Sequence, residues 1–422
     1  MRVLFACHRV PYPPRRGGKI RPFNIVRHLS EQGHQVTVAS LARNAREADE
    51  AAGLRKHCHR LLLEVIPDWK ALGQMLLNVP TRTPSSFGYF KSVRLARKVA
   101  DAASEQPPDL VFAHCSSAAP YLTNIAAQAR ILDFGDMDSG KWQDYVTHRR
   151  FPITTVYALE AAKLRDVEKR LAGQFDLCTC TTKGELESLR ALQVRSDTNW
   201  FPNGVDADYF APAPRTGAPE SIAFIGRMDY FPNQQAVQWF CRHVWPELRG
   251  RWPSLRLEVV GAEPTACIRD LASIEGVHVT GSVPDVRPYV QAAALTVAPL
   301  QIARGTQNKI LESMALGTPV VASRQAAKGV DALAGEHLLV ADSAQQWISV
   351  IDKLLGQPLW RQKLSHAARA RILSHHSWDA SLRRLDLMIE ATLERKKFNE
   401  DRNPGARVRR RSFHGVPGAG RT

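Results

Sequence analysis

The chain has 422 residues, 44% of them hydrophobic and 23% charged, too long for one ordinary domain and normal in composition for a globular protein. Its formal net charge is +16. The longest apolar runs are strand-sized, which excludes an obvious membrane span.

In chain order, the start "MRVLFACHRVPYPP" does not read as a signal peptide, because its apolar run is short and Pro, Arg and Gly follow at once. "RVLFA" predicts a buried strand, residues 19–33 a helix ending at Gly33, and "HQVTVAS" a second strand. Gly17-Gly18 lies between the first strand and its helix, where small residues let the backbone approach a ligand. A Gly-Gly turn alone is more often only a turn. Residues 68–90 hold Trp, Leu, Met and Phe with a single acid. They suit an interfacial segment beside a lipid-linked acceptor, although buried packing is the commoner explanation. "DLVFAHC", "ARILDF" and "FDLCTCTT" predict further strands, with a long helix over 155–173 between the last two. His114 ends the first of these runs, at a strand terminus that would line a cleft. A lone histidine there is more often structural. Asp133, Asp136, Asp138 and Lys141 lie at or just past "RIL". "DMD" invites a metal reading and "DFG" a kinase one. Strand–helix alternation argues against the first, and the lack of a Gly-rich phosphate loop or catalytic-loop motif against the second. Acceptor binding or a local turn remains. The seven scattered cysteines read as free thiols in a reducing compartment, with no zinc site.

"APAPRTGAPE" (211–220) is a linker signal, after which the alternation restarts. "SIAFIG", "LRLEVVG", "VHVTG", "LTVAPL", "TPVVAS" and "EHLLVAD" predict the strands of a second sheet. Alternating strands and helices imply parallel sheets covered on both faces, and two such domains leave a cleft at the carboxyl ends of their strands. "GTQNKILESMALGTPVVAS" (305–323) predicts a helix over about 307–316, with Thr306 as N-cap, Gly317 just past the end and Pro319 forbidding continuation. Asn308, Lys309 and Glu312 share one face. A helix N-terminus behind a Gly-containing loop suits phosphate, and a carboxylate one turn deeper suits a ribose. The alternative is an ordinary surface Lys–Glu pair. Near the end, Trp378, Leu382, Leu385 and Ile389 form one apolar stripe, so the last helix is a candidate to cross back onto the first domain. From Arg395 onward, nine Lys/Arg face two Asp/Glu, a surplus of +7 in a Gly/Pro-rich stretch that reads as disordered. A solvated tail and peripheral contact with anionic membrane are both open there. No nucleic acid is expected, because no recognition module accompanies the charge.

"KILESMALGTPVVAS", "FIGRMDYFPN" (224–233), "FPNGVD" (201–206), "VVGAEP" (259–264) and "VTGSVPDVRPYVQAAALTVAPL" (279–300) together resemble the family-4 retaining glycosyltransferases of the GT-B type. "PYPPRRGGKIR" (11–21) and "LDFGDMDSGKW" (132–142) are similar to motifs of a bacterial subgroup associated with exopolysaccharide and exosortase (PEP-CTERM) loci. The resemblance implies an α/β protein with two Rossmann-like domains. Residues 1–205 would face the acceptor, 206–392 would hold the donor, and 393–422 would form the tail. It implies sugar transfer with retention from a nucleotide diphosphate-sugar to a glycan or polyprenyl-linked acceptor, without metal or cofactor; the expected place is the cytoplasm, with a peripheral position at the inner face of the plasma membrane left open. Carried over, Glu312 would meet the ribose, and Arg227 would clamp the diphosphate. Gly226, Arg304, Gly305, Thr306, Gln307 and Asn308 would line the donor. Gly17, Gly18, His114 and Asp136 would face the acceptor. Two positions depart from the family pattern. Arg304 stands where a Glu is expected, which bears on sugar recognition. Pro232-Asn233 stands where a diphosphate-binding Lys is expected, and Lys309 is the candidate replacement cation. A nucleotide-sugar epimerase or hydrolase, and a non-catalytic nucleotide-sugar-binding subunit, are the rival readings.

Overall fold

A computed structural model describes residues 1–14, 17–147, 151–213 and 221–402, with side chains through Phe398. The first sheet holds β1 (Arg2–Cys7), β2 (Gln35–Ala42), β3 (Arg60–Val65), β4 (Leu110–His114), β5 (Ala129–Gly135), β6 (Leu177–Cys180) and β7 (Asp197–Trp200). Their order is β3-β2-β1-β4-β5-β6-β7, and every pairing is parallel. The second sheet holds β8 (Ser221–Ile225), β9 (Arg256–Val260), β10 (Val277–Gly281), β11 (Leu295–Ala298), β12 (Val320–Ala322) and β13 (Leu339–Val340). Its order is β10-β9-β8-β11-β12-β13, again wholly parallel.

Parallel pairing follows from the sequence pattern. Each central strand is a short apolar run followed by a helix, and both faces need cover. β1, β4 and β8 are buried along almost their whole length. In both sheets the strand order reverses beside the first strand, so β1/β4 and β8/β11 are switch points whose carboxyl ends open a crevice. His8 and His114 stand at the end of β1 and at the last position of β4, and Gly226 follows β8.

The chain crosses between domains twice, at one place. Val205 N–H donates to His376 O at 2.7 Å, and Val205 pairs with Ser377 as an isolated bridge. A Cβ on Gly204 would stand 2.6 Å from Trp378 Cα, so only glycine fits this close crossing. The last helix, Trp378–Arg402, then lies on the first domain. Trp378, Leu382, Leu385 and Ile389 are buried in one cluster with Val3, Phe5, Phe112 and Phe201. Residues 393–402, expected in a disordered tail, instead continue this helix. Leu393 packs against the same cluster, Lys396 Nζ meets Asp176 at 2.5 Å, and Arg395 pairs with Asp197. The remainder of that tail, 403–422, lies outside the described residues.

Candidate active site in the interdomain cleft

The helix Asn308–Ala315 buries Ile310, Leu311, Ser313, Met314 and Ala315 against the second domain. Gly317, with φ +70°, ends it, as the Gly-Thr-Pro sequence requires. Thr306 is not its N-cap. Gln307 holds that position with no side-chain cap bond, and Thr306 Oγ1 is buried without a partner. The chain turns at Gly305 (φ +62°), one residue too early for the threonine to reach the first helical N–H groups.

Lys309 points from this helix toward the end of β8. Its Nζ is 2.6 Å from Asn233 Oδ1 and 4.7 Å from the centroid of the Phe224 ring. Asn233 Nδ2 donates to Arg227 O at 2.8 Å. A Cβ on Gly226 would lie 2.7 Å from Asn233 Nδ2 and 3.0 Å from Lys309 Nζ. The ammonium, the amide and the bare Gly226 backbone are therefore one contact group. Lys309, from another element, thus places its ammonium at the side chain of position 233, where a lysine was expected. Burial pushes Lys309 down to about 7, with the Glu312 charge resisting, and pushes Glu312 up to about 7, with Lys309 resisting.

Arg227 is more exposed and is held by carboxylates. It donates to Asp229 at 2.7 and 3.0 Å and pairs with Glu263. Arg304 reaches into the first domain. Its Nε donates to Asp144 Oδ2 at 2.5 Å and its Nη1 to Glu185 Oε1 at 3.4 Å, and its guanidinium lies against Gly140. Those contacts occupy the guanidinium that sequence reading assigned to the donor sugar. Gly305 is pressed on Asp136, where a Cβ would meet Oδ1 at 2.0 Å. Asp136 also accepts from Thr181 Oγ1 at 2.6 Å. Gln307 Nε2 donates to Arg304 O at 3.1 Å, while Asn308 Oδ1 is buried without a hydrogen bond. Asn308 Nδ2 is 3.7 Å from the place of a Cβ on Gly17, whereas Gly18 faces open space. The helix Asn308–Ala315 thus meets the first turn of the helix Gly17–Glu31, which begins with the Gly-Gly pair rather than after it.

His114 and Asp133 form a dyad beneath this turn. His114 Nδ1 is 2.8 Å from Asp133 Oδ2. Arg21 binds the same carboxylate through two nitrogens at 2.8 and 2.9 Å, and Thr179 Oγ1 donates at 2.9 Å. Burial raises the Asp133 carboxyl, but the Arg21 charge and the His114 bond outweigh it and hold it well below the usual carboxylate range. Because the ionised carboxylate can only accept, His114 Nδ1–H donates to it. His8 stacks 6.5 Å from His114 and has a buried, unpartnered Nδ1. Sequence reading passed over His8, although its place just after the first strand was a signal. Asn233 drew notice only as a missing lysine. The partners Asp144 and Glu185 carried no sequence signal. Asp138 accepts from Ser116 Oγ at 3.0 Å. Among the described residues no group of three or more His, Cys, Asp or Glu has metal-binding geometry.

Comparison with known proteins fits this architecture. Residues 16–209 match the family described as Glycosyltransferase Family 4, and residues 219–357 that described as Glycosyl transferases group 1. Phosphatidyl-myo-inositol mannosyltransferases of Mycobacterium tuberculosis and Mycobacterium bovis are 30% identical over 171 residues, which is 38% of this chain and 42% of the length of those relatives. Sucrose-phosphate synthase from Thermosynechococcus elongatus superimposes with a TM-score of 0.70 at 17% identity, covering 93% of this chain and 98% of that one. Anabaena HepE, solved in complex with UDP, gives 0.66 at 15% identity, covering 93% and 100%. WaaG, a glycosyltransferase involved in lipopolysaccharide biosynthesis, gives 0.58 at 16% identity, covering 91% and 99%. Two doubly wound parallel sheets facing across a cleft give this chain the GT-B glycosyltransferase fold, its first domain matching Glycosyltransferase Family 4 and its second the group 1 transferases.

Proposed function

We propose that the chain transfers a sugar from a nucleotide diphosphate-sugar to a hydroxyl of a glycan or lipid-linked acceptor, with retention at the anomeric carbon and without a metal ion, in the synthesis of exopolysaccharide or another cell-surface glycan. The work would take place at the cytoplasmic face of the membrane. The observation that carries this reading is Lys309, whose ammonium sits beside the Gly226 backbone at the first turn of the helix Asn308–Ala315. A cation, a bare backbone and a positive dipole end on one spot suit a diphosphate. HepE, of the same fold, has been solved with UDP and with UDP-glucose, which supports a nucleotide-sugar donor.

In this reading Glu312 accepts hydrogen bonds from the ribose hydroxyls. Arg227 exchanges Asp229 and Glu263 for phosphate oxygens, an inexpensive exchange because exposed ion pairs contribute about 1 kcal/mol or less. The bond from the anomeric carbon to the diphosphate oxygen breaks, and its electron pair leaves with that oxygen. The acceptor oxygen bonds to the same face of the carbon, and its proton passes to the leaving phosphate. No protein nucleophile is needed. Lys309, Arg227 and the helix dipole stabilise the growing negative charge. His114 and the Gly17-Gly18 pair border the acceptor side.

The test is a panel of nucleotide diphosphate-sugars with the full chain, with and without acceptor and in excess chelator. Transfer with retained anomeric configuration is expected, and it should survive the chelator. Glu312→Ala should weaken nucleoside diphosphate binding by about 1–3 kcal/mol. Equal binding by that variant would remove this helix from the donor site. Sugar release without transfer would favour a hydrolase, and loss of activity restored by a divalent cation would refute the metal-free reading.

A further inference from the structure

Buried packing is the commoner fate of a segment like 68–90, yet most of its first helix is not buried. The helix Asp68–Leu77 buries only Ala71. Trp69 is 76% exposed, Leu76 63% and Leu77 74%, with Leu72 and Val79 exposed beside them. Trp69, Leu72 and Leu76 recur at three- and four-residue spacing and so share one outward face. A second exposed set begins at Phe151, 83% exposed, and continues through Ile153, Val156 and Leu159 on the helix Ile153–Ala172. The two sets adjoin. Glu160 accepts from Ser85 N at 2.9 Å and Ser86 N at 3.0 Å, and Lys163 Nζ donates to Val79 O at 2.7 Å. Ile153, Val156, Glu160 and Lys163 lie on one side of that helix, so its apolar start runs beside the end of the first set. Scattered apolar side chains are ordinary on a surface, but nine on two tied segments make a patch that marks an interaction face.

Charge identifies the occupant. Between residues 68 and 98 the sequence holds six Lys/Arg against one acid, Asp68. Lys70, Arg82 and Lys91 are exposed around the patch. Apolar side chains ringed by cations suit the boundary between acyl chains and anionic headgroups. Among the described residues no helix is long and apolar enough to cross a membrane, so the contact argued for is interfacial. The patch also has a fixed relation to the cleft. The helix Asp68–Leu77 starts three residues after β3 ends, and the segment from Phe151 follows the helix Asp138–Thr147 that leaves β5. Both lie at the carboxyl edge of the first sheet, the edge that carries His114 and the Gly17-Gly18 pair.

We propose that this face docks the protein on an anionic bilayer surface, beside the mouth of its own cleft. The contact does not depend on the chemistry proposed for the cleft. Its test is co-sedimentation of the full chain with phosphatidylcholine vesicles, with and without phosphatidylglycerol. The parent should bind the anionic vesicles. The variant Trp69→Ser/Leu76→Ser/Leu77→Ser should bind about tenfold more weakly or worse, because three apolar anchors are gone. Its melting temperature and nucleoside diphosphate affinity should be unchanged, since all three side chains face solvent. Vesicle binding equal to the parent's would overturn the proposal, as would a parent that ignores anionic vesicles. A parent dimer in light scattering that the same substitutions dissolve would overturn it too, assigning the face to self-association.

Discussion

Lys309 sits where its charge is both costly and useful. In the free protein it is driven down to about 7 because burial disfavours the ammonium, and Glu312 is driven up to about 7 for the same reason. A bound diphosphate would favour the ammonium and raise its pKa. Affinity for a nucleoside diphosphate should therefore fall as pH rises above about 7, by at most about tenfold per pH unit for one proton. Below about 7 the neutral Glu312 accepts less well from a ribose, so affinity falls on that side too. Lys309→Arg should abolish the alkaline limb, since a guanidinium stays charged, and Glu312→Gln should abolish the acidic one. Calorimetric titration across this range checks both, and a flat profile in the parent would refute the coupling. Lys309 and Glu312 could be paired from sequence because three residues on a helix share a face. Asn233 could not be placed against them, because 76 residues separate it from Lys309 and only the closure of the sheet brings them together.

The helix Trp378–Arg402 shows how far a single element can be read. Its apolar stripe was legible, since four residues at helical spacing demand a partner. Its continuation past residue 393 was not, because ion pairs to Asp176 and Asp197 rather than apolar side chains hold residues 395 and 396. The edge strand β7 escaped for a related reason. Half-buried runs such as "DTNW" lack the apolar pattern that marks central strands. Leu385 is fully buried against the first sheet, so Leu385→Ala should destabilise the first domain by about 2–5 kcal/mol. Denaturant unfolding checks this. A loss below about 0.5 kcal/mol would mean that the helix merely rests on the sheet.

Across the whole molecule, two features join the domains. The paired crossing at Asn203–Val205 and His376–Trp378 is the hinge candidate, and contacts elsewhere hold the domains together. Arg304 bonds Asp144 and Glu185, and Lys183 meets Asp331 at 3.1 Å. No residue pattern foretold these pairs, since each joins positions distant in the chain. Arg304→Ala should let the cleft open, raising the radius of gyration of the free protein in small-angle scattering. An unchanged scattering curve would show that the arginine does not hold the domains closed.

The return of the last helix to the first domain also sets a condition on synthesis. The ribosome makes the first sheet early, but part of the cover of one of its faces, from Trp378, Leu382, Leu385 and Ile389, comes only after the entire second domain. At roughly 5–20 residues per second, that face waits on the order of ten seconds or more. The first domain is thus the first begun and the last completed. A nascent chain stalled before Trp378 should expose part of an apolar sheet face to chaperones and proteases, however well the second domain has folded.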